Sequence, residues 1–587
     1  MGTDKTGRSH PGYLFFTVAG ILYLFVHLIA ALSPSPLLWG VDGWCVLPTG
    51  VPYLLFILGV VLFIPRVDQP IVRGFRVYRR ISARAPRIVW LTAAGILFWV
   101  FRKRTFFLGD ALLRMRNVTL HQEYGYTFPR LSWEKPLDTF LHSGLYNLLH
   151  PLTGITAQDV YQGVSILAGI AMVWAIMRYL GRLFDSHGVR LTAGMVILTT
   201  GTIELFFGYV ESYTIAWLFV LLSLLTGLAM IREQRFSPLS ACFFILAAAF
   251  HFVTLSVAPG IVYAYVLVIR RSTPPAERLR RWGLLTLIAI LVWGGTAFLL
   301  EMGAHPLSGY FTVHTTGLIF LPLFGESGTY TILSPGHLID LANELILLVP
   351  AGVVLFLGSW QAGKLFRSAR VRFLVLSCLG PALILVLIDP KLGFARDWDL
   401  FSLFAIPAAL FIGELIALLP ENLLKRIAVP LTAVCVLNTV PWVLINASEQ
   451  ASLARFERLA VTPHWPASAK DMAFESLGTY YAERSRYNEA AEQDAAAYDH
   501  TGNIRFYRNV IAMYQRSGDF DALGRFVRSH GNIAEGYFNL GMAYLSRGRV
   551  DVAIPALEKA VELDPDYPDG YLNLGIGYGE AGRNRDA

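Results

Sequence analysis

Charged residues are scarce in this chain. Of its 587 residues only 16% are charged and 55% are hydrophobic, and the mean hydropathy is +0.50. Soluble domains carry about 25% charged residues, so this composition excludes a protein that is soluble along its whole length. It favours a chain whose main solvent is a membrane.

Cysteine is rare as well. The four cysteines lie in or beside separate apolar segments without a CxxC spacing: Cys45, Cys242, Cys378 and Cys435. This pattern suggests neither a disulfide framework nor a cysteine zinc site, and we interpret the four as packing residues. The first apolar run lacks a small-residue cleavage site, so we interpret it as a membrane span rather than a signal peptide.

Long apolar runs are abundant. A helix needs about 17 to 25 mostly apolar residues to cross the hydrocarbon core of a bilayer. The break at His251 to Thr254 divides one long run, which we interpret as a hairpin of two short arms. We predict thirteen spans, near 14–32, 47–64, 88–101, 160–180, 191–209, 213–231, 238–250, 254–269, 283–300, 340–358, 373–388, 403–419 and 427–445.

The positions of Lys and Arg predict the orientation. Basic residues of membrane proteins collect in cytoplasmic loops, so the formal net charge of +7 indicates no nucleic-acid partner. Loop 66–87 carries seven Arg, whereas segment 301–339 has no Lys or Arg. We therefore place the amino terminus inside and everything after about 446 outside the cytoplasm. We expect a multi-pass protein of the bacterial inner membrane.

The composition changes after Pro466, and a repeat begins. Leu540-Gly541 recurs as Leu574-Gly575 at an offset of 34 residues, which is the period of tetratricopeptide helical repeats. Such arrays bind partners on a concave surface, although a purely structural spacer stays an alternative. The chain ends at Ala587, where the second helix of the last unit should begin, so we expect a truncated or partial sequence. The predicted parts are a cytoplasmic tail (1–13), a multi-span domain (14–446), a linker (447–471) and a repeat domain (472–587).

Loop 102–159 is the first large outer loop of the membrane domain, and it retains seven cations despite the outward topology. Lys103 and Arg104 follow the third span and could bind a phosphate at the membrane surface, or they could merely end the helix at the interface. Gly109-Asp110 comes shortly after them. A carboxylate in this position could act as a general base at the mouth of a membrane cavity.

Further polar residues reach the outer boundary at a similar depth. Each one alone is more often a solvated helix end, but several on one face favour a functional site. We predict that this site contains Asp110 together with Glu211, His251, Arg396, Asp397 and Asp399.

A metal site in the outer loop is a weaker alternative. It would use three histidines and a glutamate whose spacings match no compact metal motif: His305, His314, His337 and Glu326. We predict no metal or other cofactor in the site.

The arrangement resembles the GT-C class of membrane glycosyltransferases. The resemblance rests on the multi-span core, on Gly109-Asp110 in a long first outer loop, and on the carboxy-terminal repeats. The layout is most similar to the transmembrane and tetratricopeptide-containing O-mannosyltransferases, but the two extra spans ahead of Asp110 depart from the simplest family pattern. The expected fold is all-α, with a polytopic GT-C-like membrane domain followed by a tetratricopeptide α-solenoid.

The resemblance implies a sugar donor linked to a polyprenyl phosphate and a protein or glycan acceptor. Asp110 would then be the catalytic base, and Arg396 would face the departing phosphate with help from Lys103 or Arg104. Glu211, His251 and Asp397 would position donor or acceptor. Some members of the class use a divalent metal, which the carboxylates could also bind, but a cation pair is available here to take that role.

Two other functions compete with this hypothesis. A transporter or lipid-linked flippase would show matching halves and polar residues at mid-bilayer, whereas the ionisable residues of this chain cluster at one boundary. An assembly scaffold would use the repeats to recruit partners, but thirteen spans are excessive for an anchor.

Overall fold

Helices dominate the structure, as expected for segments that must satisfy their backbone hydrogen bonds inside a bilayer. The computed structural model describes residues 11–64, 86–123, 134–272, 274–302, 320–325, 330–354, 365–583 and 585–587. Within these ranges the only β-structure is an isolated bridge between Phe320 and Ile388. The predicted all-α fold class is confirmed.

Contacts between Cα atoms divide the chain into two units. The first consists of Met1–Pro390 and Phe394–Leu459, and the second of Lys391–Gly393 and Ala460–Ala587. The predicted domain bounds stay a prediction. The segment that we expected to be a linker contains the helix Glu449–Ala460.

The first unit contains seventeen α-helices in the described residues. In chain order they are α1 Pro11–Leu32, α2 Val51–Val61, α3 Arg87–Val100, α4 Ala111–Glu123, α5 Pro136–Thr153, α6 Ala157–Leu183, α7 His187–Leu198, α8 Tyr213–Glu233, α9 Leu239–Phe250, α10 Ala258–Ser272, α11 Pro275–Met302, α12 Pro335–Leu348, α13 Ala369–Leu387, α14 Trp398–Phe401, α15 Ala405–Leu418, α16 Glu421–Ala447 and α17 Glu449–Ala460.

Eight helical segments in the described residues are long and apolar enough to cross a membrane: Gly12–Leu32, Ala157–Leu183, Tyr213–Glu233, Phe252–Arg270, Pro275–Leu299, Ala369–Leu387, Trp398–Leu418 and Glu421–Ala447. Shorter apolar helices occur at α2, α3, α7 and α9. Helix α8 is almost fully buried, whereas α11 exposes most of its apolar surface, as expected of a lipid-facing helix. The chain is therefore a multi-pass membrane protein, and the count of thirteen spans stays a prediction.

The segment predicted as span 191–209 is not one helix. Helix α7 ends at Leu198, and a 3-10 helix follows over Gly201–Phe206. A Cβ on Gly201 would lie 2.7 Å from the carbonyl oxygen of Leu347, so glycine permits this close backbone approach. The change of direction places Glu204 in the interior of the unit.

The long apolar run around His251 is also interrupted. Helix α9 ends at Phe250, His251 is extended at φ −158° and ψ 121°, and a 3-10 helix, Phe252–Val257, leads into α10. The break lies where the sequence predicted it, and the hairpin itself stays a prediction.

The second unit is a series of helices of 10 to 17 residues. Small residues allow neighbouring helices to approach closely. At Gly541, for example, an added Cβ would lie only 2.6 Å from Cγ of Leu557. Aromatic residues such as Tyr507 and Tyr544 fill the core between the helices. The helices are α18 Ala467–Glu483, α19 Tyr487–Thr501, α20 Ile504–Ser517, α21 Phe520–Ser529, α22 Ala534–Leu545, α23 Val550–Leu563 and α24 Pro568–Glu580.

Candidate active site

The segment after α3 is anchored by backbone hydrogen bonds. The N–H of Lys103 donates to the carbonyl oxygen of Phe207 at 2.8 Å, and the N–H of Arg104 donates to that of Asn446 at 3.1 Å. The two neighbouring side chains differ, because Lys103 is buried and Arg104 is exposed. Only the first of these predicted phosphate ligands therefore points into the protein.

Gly109 brings the backbone against two carboxylates. Its φ is +70°, and its N–H donates to the carbonyl oxygen of Arg396 at 2.9 Å. A Cβ at this position would lie 2.6 Å from Oδ2 of Asp399 and 3.0 Å from Oε1 of Glu211. Both the left-handed backbone and the lack of space require glycine here.

Asp110, Arg114 and Glu211 form a hydrogen-bonded and ion-paired group. The N–H of Asp110 donates to Oε1 of Glu211, and Nη2 of Arg114 lies 2.8 Å from Oδ2 of Asp110. Nε of Arg114 lies 3.5 Å from Oε2 of Glu211. The side chain of Glu211 is 2% exposed, but that of Asp110 is 38% exposed. Asp110 therefore offers a carboxylate that a substrate can reach.

Arg114 keeps its charge in this group. Burial alone lowers its pKa, but the carboxylates of Glu211 and Asp110 raise the pKa above its ordinary value. The guanidinium is thus a fixed cation that orients Asp110.

Arg396 and Asp399 lie between α13 and α15, and Asp399 belongs to the short helix α14. Nε of Arg396 donates to the carbonyl oxygen of Phe107 at 3.2 Å, while Nη1 is buried without a hydrogen-bond partner among the described residues. Burial lowers the pKa of Arg396, and nearby carboxylates, with Asp397 first, oppose this effect. Oδ1 of Asp399 accepts from the N–H of Leu400 at 2.9 Å.

The ammonium of Lys103 lies over an aromatic ring. Nζ is 3.6 Å from the ring centroid of Tyr209 and has no hydrogen-bond acceptor within the described part of the chain. Burial lowers the pKa of Lys103 to about 8, against the opposing attraction of Glu204, Asp399 and Glu211. A cation–π contact of this kind compensates part of the lost hydration.

Lys135 is a further buried cation beside this group. Burial lowers its pKa, as does Arg114, whereas Glu211, Glu134 and Asp110 raise it. Its Nζ lies 3.8 Å from Oε2 of Glu134.

His251 packs beside the site on aromatic rings. Its ring centroid lies 4.8 Å from that of Tyr213 and 6.3 Å from that of Trp217. Nδ1 accepts from the N–H of Val253 at 3.3 Å.

The structure thus brings together five of the predicted residues: Lys103, Asp110, Glu211, Arg396 and Asp399. His251 lies against Tyr213, two positions after Glu211. Asp397 precedes α14, whose Leu400 N–H donates to its carbonyl oxygen at 3.0 Å. The roles of all eight predicted residues stay predictions.

Sequence reasoning missed Arg114 and Lys135 as members of this group, and it also missed Glu204 as a buried carboxylate of the same unit. Arg114 follows Asp110 by four residues on one helix, a spacing that favours an ion pair. Glu204 had a stronger signal, since a carboxylate inside an apolar run is by default a functional candidate. Lys135 had no comparable signal beyond its place in the outer loop.

The residues of the alternative metal site fall mostly outside the described residues, which exclude His305, His314 and Glu326. His337 is buried on α12. In the described ranges no three His, Cys, Asp or Glu residues are grouped so that they could hold a metal ion. Since Arg114 already bridges Asp110 and Glu211, we derive no step through a metal.

Comparisons with known proteins identify the repeats. A family model described as TPR repeat matches residues 541–582, which confirms the prediction of tetratricopeptide repeats at the carboxy-terminal end. None of the curated proteins compared with the chain matches it. The layout of a multi-span helical part followed by these repeats is the one that the sequence predicted.

Two solved structures are similar to the chain, both of ArnT from Cupriavidus metallidurans. One is bound to undecaprenyl phosphate and the other is in the apo state. Each is 13% identical in sequence to this chain, with a TM-score of 0.40. The similarity covers 84% of this chain in both cases, 78% of the ArnT chain with the bound lipid and 77% of the apo ArnT chain. Because the TM-score is 0.40, we base the function on the residues of this chain.

Proposed function

We propose that the chain is a GT-C-type membrane glycosyltransferase, which transfers a sugar from a polyprenyl-phosphate donor to an acceptor hydroxyl on the non-cytoplasmic face. One observation carries the proposal. A half-exposed carboxylate, Asp110, is held by Arg114 and Glu211 in a group that also contains the buried cations Arg396 and Lys103. A base can take the proton of the acceptor hydroxyl, and buried cations can stabilise the charge on a departing phosphate.

Asp110 is the base. Its carboxylate is the accessible one of the three that meet at Gly109, since Glu211 and Asp399 are both 2% exposed. Arg114 donates to Oδ2 of Asp110, and in this proposal Oδ1 receives the proton of the acceptor hydroxyl. A positioned carboxylate that takes a proton during the reaction contributes about 10²- to 10⁴-fold to the rate.

The transfer balances as follows. The acceptor oxygen gives its proton to Asp110 and forms a bond to the anomeric carbon of the donor sugar. The bond between that carbon and the phosphate oxygen breaks, and its electron pair leaves with the polyprenyl phosphate. The guanidinium of Arg396 stabilises the charge that develops there, because Nη1 is free of other hydrogen bonds in the described residues.

Lys103 supplies the second positive charge for the phosphate. Arg104 is exposed, so we assign this role to Lys103 rather than to its neighbour. Glu211 holds the N–H of Asp110, and we assign donor and acceptor positioning to His251, Asp397 and Asp399.

The tetratricopeptide repeats recruit the protein or glycan acceptor, or a partner protein, in this proposal. Helical arrays present extended binding surfaces that suit such a role. The charge bias of the loops supports a location of the repeats outside the cytoplasm.

The experiment is a transfer assay with Asp110→Asn. The purified full chain is given polyprenyl-phosphate-linked sugars and a membrane extract as acceptor, and release of polyprenyl phosphate is measured. We expect Asp110→Asn to lower the rate about 10²- to 10⁴-fold. Asp185→Asn is the control, because Asp185 is an exposed carboxylate that is also ion-paired with an arginine.

Unchanged transfer by Asp110→Asn would remove Asp110 as the base. If the wild-type chain transfers no sugar but moves the lipid-linked sugar across vesicle membranes, the flippase alternative replaces the proposal.

A further inference from the structure

Helix α17, which follows the last apolar helix of the first unit, has one fully buried face. Ser452, Arg455, Phe456 and Leu459 are each at most 6% exposed. Their spacing of three, one and three positions places all four side chains on the same side of a helix. A buried arginine on such a face requires a partner, because arginine is almost never fully buried unless it is paired.

Polar contacts fix the position of α17 within the first unit. Nε of Arg455 lies 3.0 Å from both carboxylate oxygens of the buried Asp42, and Nη2 donates to the carbonyl oxygen of Trp39 at 2.9 Å. The hydroxyl groups of Ser452 and Thr105 are hydrogen bonded to each other. Charge-assisted hydrogen bonds add geometric specificity, so α17 is held in place beside the segment that leads to the candidate site.

Phe456 lies on the same face and contacts the candidate site. Its ring stacks on the ring of Phe107, with centroids 4.7 Å apart and planes at 8°. The other partner is Arg396, whose Cζ lies over the Phe456 ring at 5.3 Å from its centroid. Nε of Arg396 donates in turn to the carbonyl oxygen of Phe107 at 3.2 Å. The three residues therefore form a closed set of contacts.

This set of contacts restrains the guanidinium of Arg396. Phe456 contacts the guanidinium, and the backbone of Phe107 occupies Nε, whereas Nη1 is buried without a hydrogen-bond partner among the described residues. An unpaired buried donor is costly, and a cation–π contact offsets part of the lost hydration. The aromatic ring thus helps to keep a buried cation in one orientation with one donor available.

We infer that Phe456 is a positioning residue, which acts through Arg396 and holds its guanidinium so that Nη1 is presented to the donor phosphate. The inference rests on the proposed function for the role of Arg396, whereas the contacts of Phe456 do not depend on it. The sequence predicted only a linker over 447–471, but the inference gives the helix in this segment a part in the proposed site.

The first test replaces the aromatic ring and measures transfer by the purified full chain. Phe456→Leu keeps an apolar side chain but removes the π face beneath the guanidinium. Because a desolvated cation–π contact contributes up to about 30-fold, kcat should fall about 5- to 30-fold, with a smaller change in KM. Phe456→Tyr keeps an aromatic face and should transfer sugar faster than Phe456→Leu.

Two matched variants separate the contact from general packing. Phe107→Leu removes the same ring stack but leaves Phe456 beside Arg396, so it should lower thermal stability similarly and transfer less. Phe236→Leu removes a ring that lies 4.9 Å from Cζ of Arg281, in the turn between α8 and α9, and it should leave transfer unchanged. Equal losses of transfer in Phe107→Leu and Phe456→Leu would overturn the inference.

The second test combines Phe456→Leu with Arg396→Gln. Without the guanidinium the ring has no cation to hold, so Phe456→Leu should then lower transfer by about twofold or less. A purely structural role of Phe456 predicts the same loss in both backgrounds, because damaged packing lowers activity whichever side chain stands at position 396. Additive losses of this kind would also overturn the inference.

The same pair of substitutions, measured by thermal unfolding without substrate, separates the inference from the proposed function. The two losses of stability should be non-additive, because the side chains are in contact. A wild-type chain that transfers no sugar would refute the proposed function and with it the role of Phe456, even where non-additive unfolding shows the contact. Transfer by the wild type together with additive losses would refute the inference alone.

Discussion

Ionisable side chains have opposite environments in the membrane part and in the repeats. Around Gly109 the membrane part buries Lys103, Arg396 and Asp399, each at most 5% exposed. In the repeats Arg505 pairs with Glu475 while both side chains are about half exposed, at 50% and 47%. Burial of charge is expensive and persists where the charge has a use, whereas exposed pairs contribute little.

The difference indicates how each part depends on its residues. The membrane part already has ample apolar surface in contact with lipid, so we expect the buried charges around Gly109 to serve a site rather than the fold. The repeats depend on the fit of small and large side chains, as at Gly541 and Leu557. Removing a buried charge around Gly109 should therefore impair activity. Removing an exposed charge in the repeats should change neither activity nor stability by much.

The largest effect that tests this comparison is expected from Arg396→Gln. The variant keeps a hydrogen-bonding side chain but removes the buried cation, so transfer should fall about 10²- to 10³-fold, mainly in kcat. The transfer assay measures it. Arg232→Gln is the control, since Arg232 pairs with the exposed Asp185. Equal losses in both variants would contradict a special role for buried charge.

The same contrast explains how much could be predicted. Apolar runs predicted helices well, as with 213–231 against Tyr213–Glu233, because a bilayer leaves a spanning backbone few alternatives. The offset of 34 residues predicted the repeats, because each unit buries its core against its neighbour. Both signals are local in sequence.

The candidate site was predicted only in part, because its members meet through tertiary packing. Asp110 and Glu211 are hydrogen bonded although 101 positions separate them. Spacing along the chain contains no information on such a contact, and it did not indicate that Arg104 is exposed while Lys103 is buried. Glu204 was missed because the run 191–209 was interpreted as one continuous span, whereas the helix ends at Leu198.

A medium effect is expected from Gly541→Ala in the repeats. The new Cβ would lie 2.6 Å from Cγ and 2.8 Å from Cδ2 of the fully buried Leu557, so overpacking should lower the free energy of unfolding by about 1 to 3 kcal/mol. Thermal unfolding of the full chain measures the change. Gly579→Ala is the matched control on α24, where no atom lies within 4 Å of the added Cβ. Because alanine favours helices, this control should be neutral or stabilising by up to about 1 kcal/mol.

The smallest effect is expected from Arg505→Ala. Its guanidinium donates to both carboxylate oxygens of Glu475, at 2.8 and 3.1 Å, yet both side chains are half exposed and screened by water and salt. The free energy of unfolding should fall by about 0.2 to 1 kcal/mol at low salt, and by less at high salt. Urea unfolding at two salt concentrations measures this. A loss as large as that in Gly541→Ala, or one that salt leaves unchanged, would show that exposed ion pairs support the repeats. The two parts of the chain would then depend on charge alike, and burial alone would no longer separate functional from structural charges.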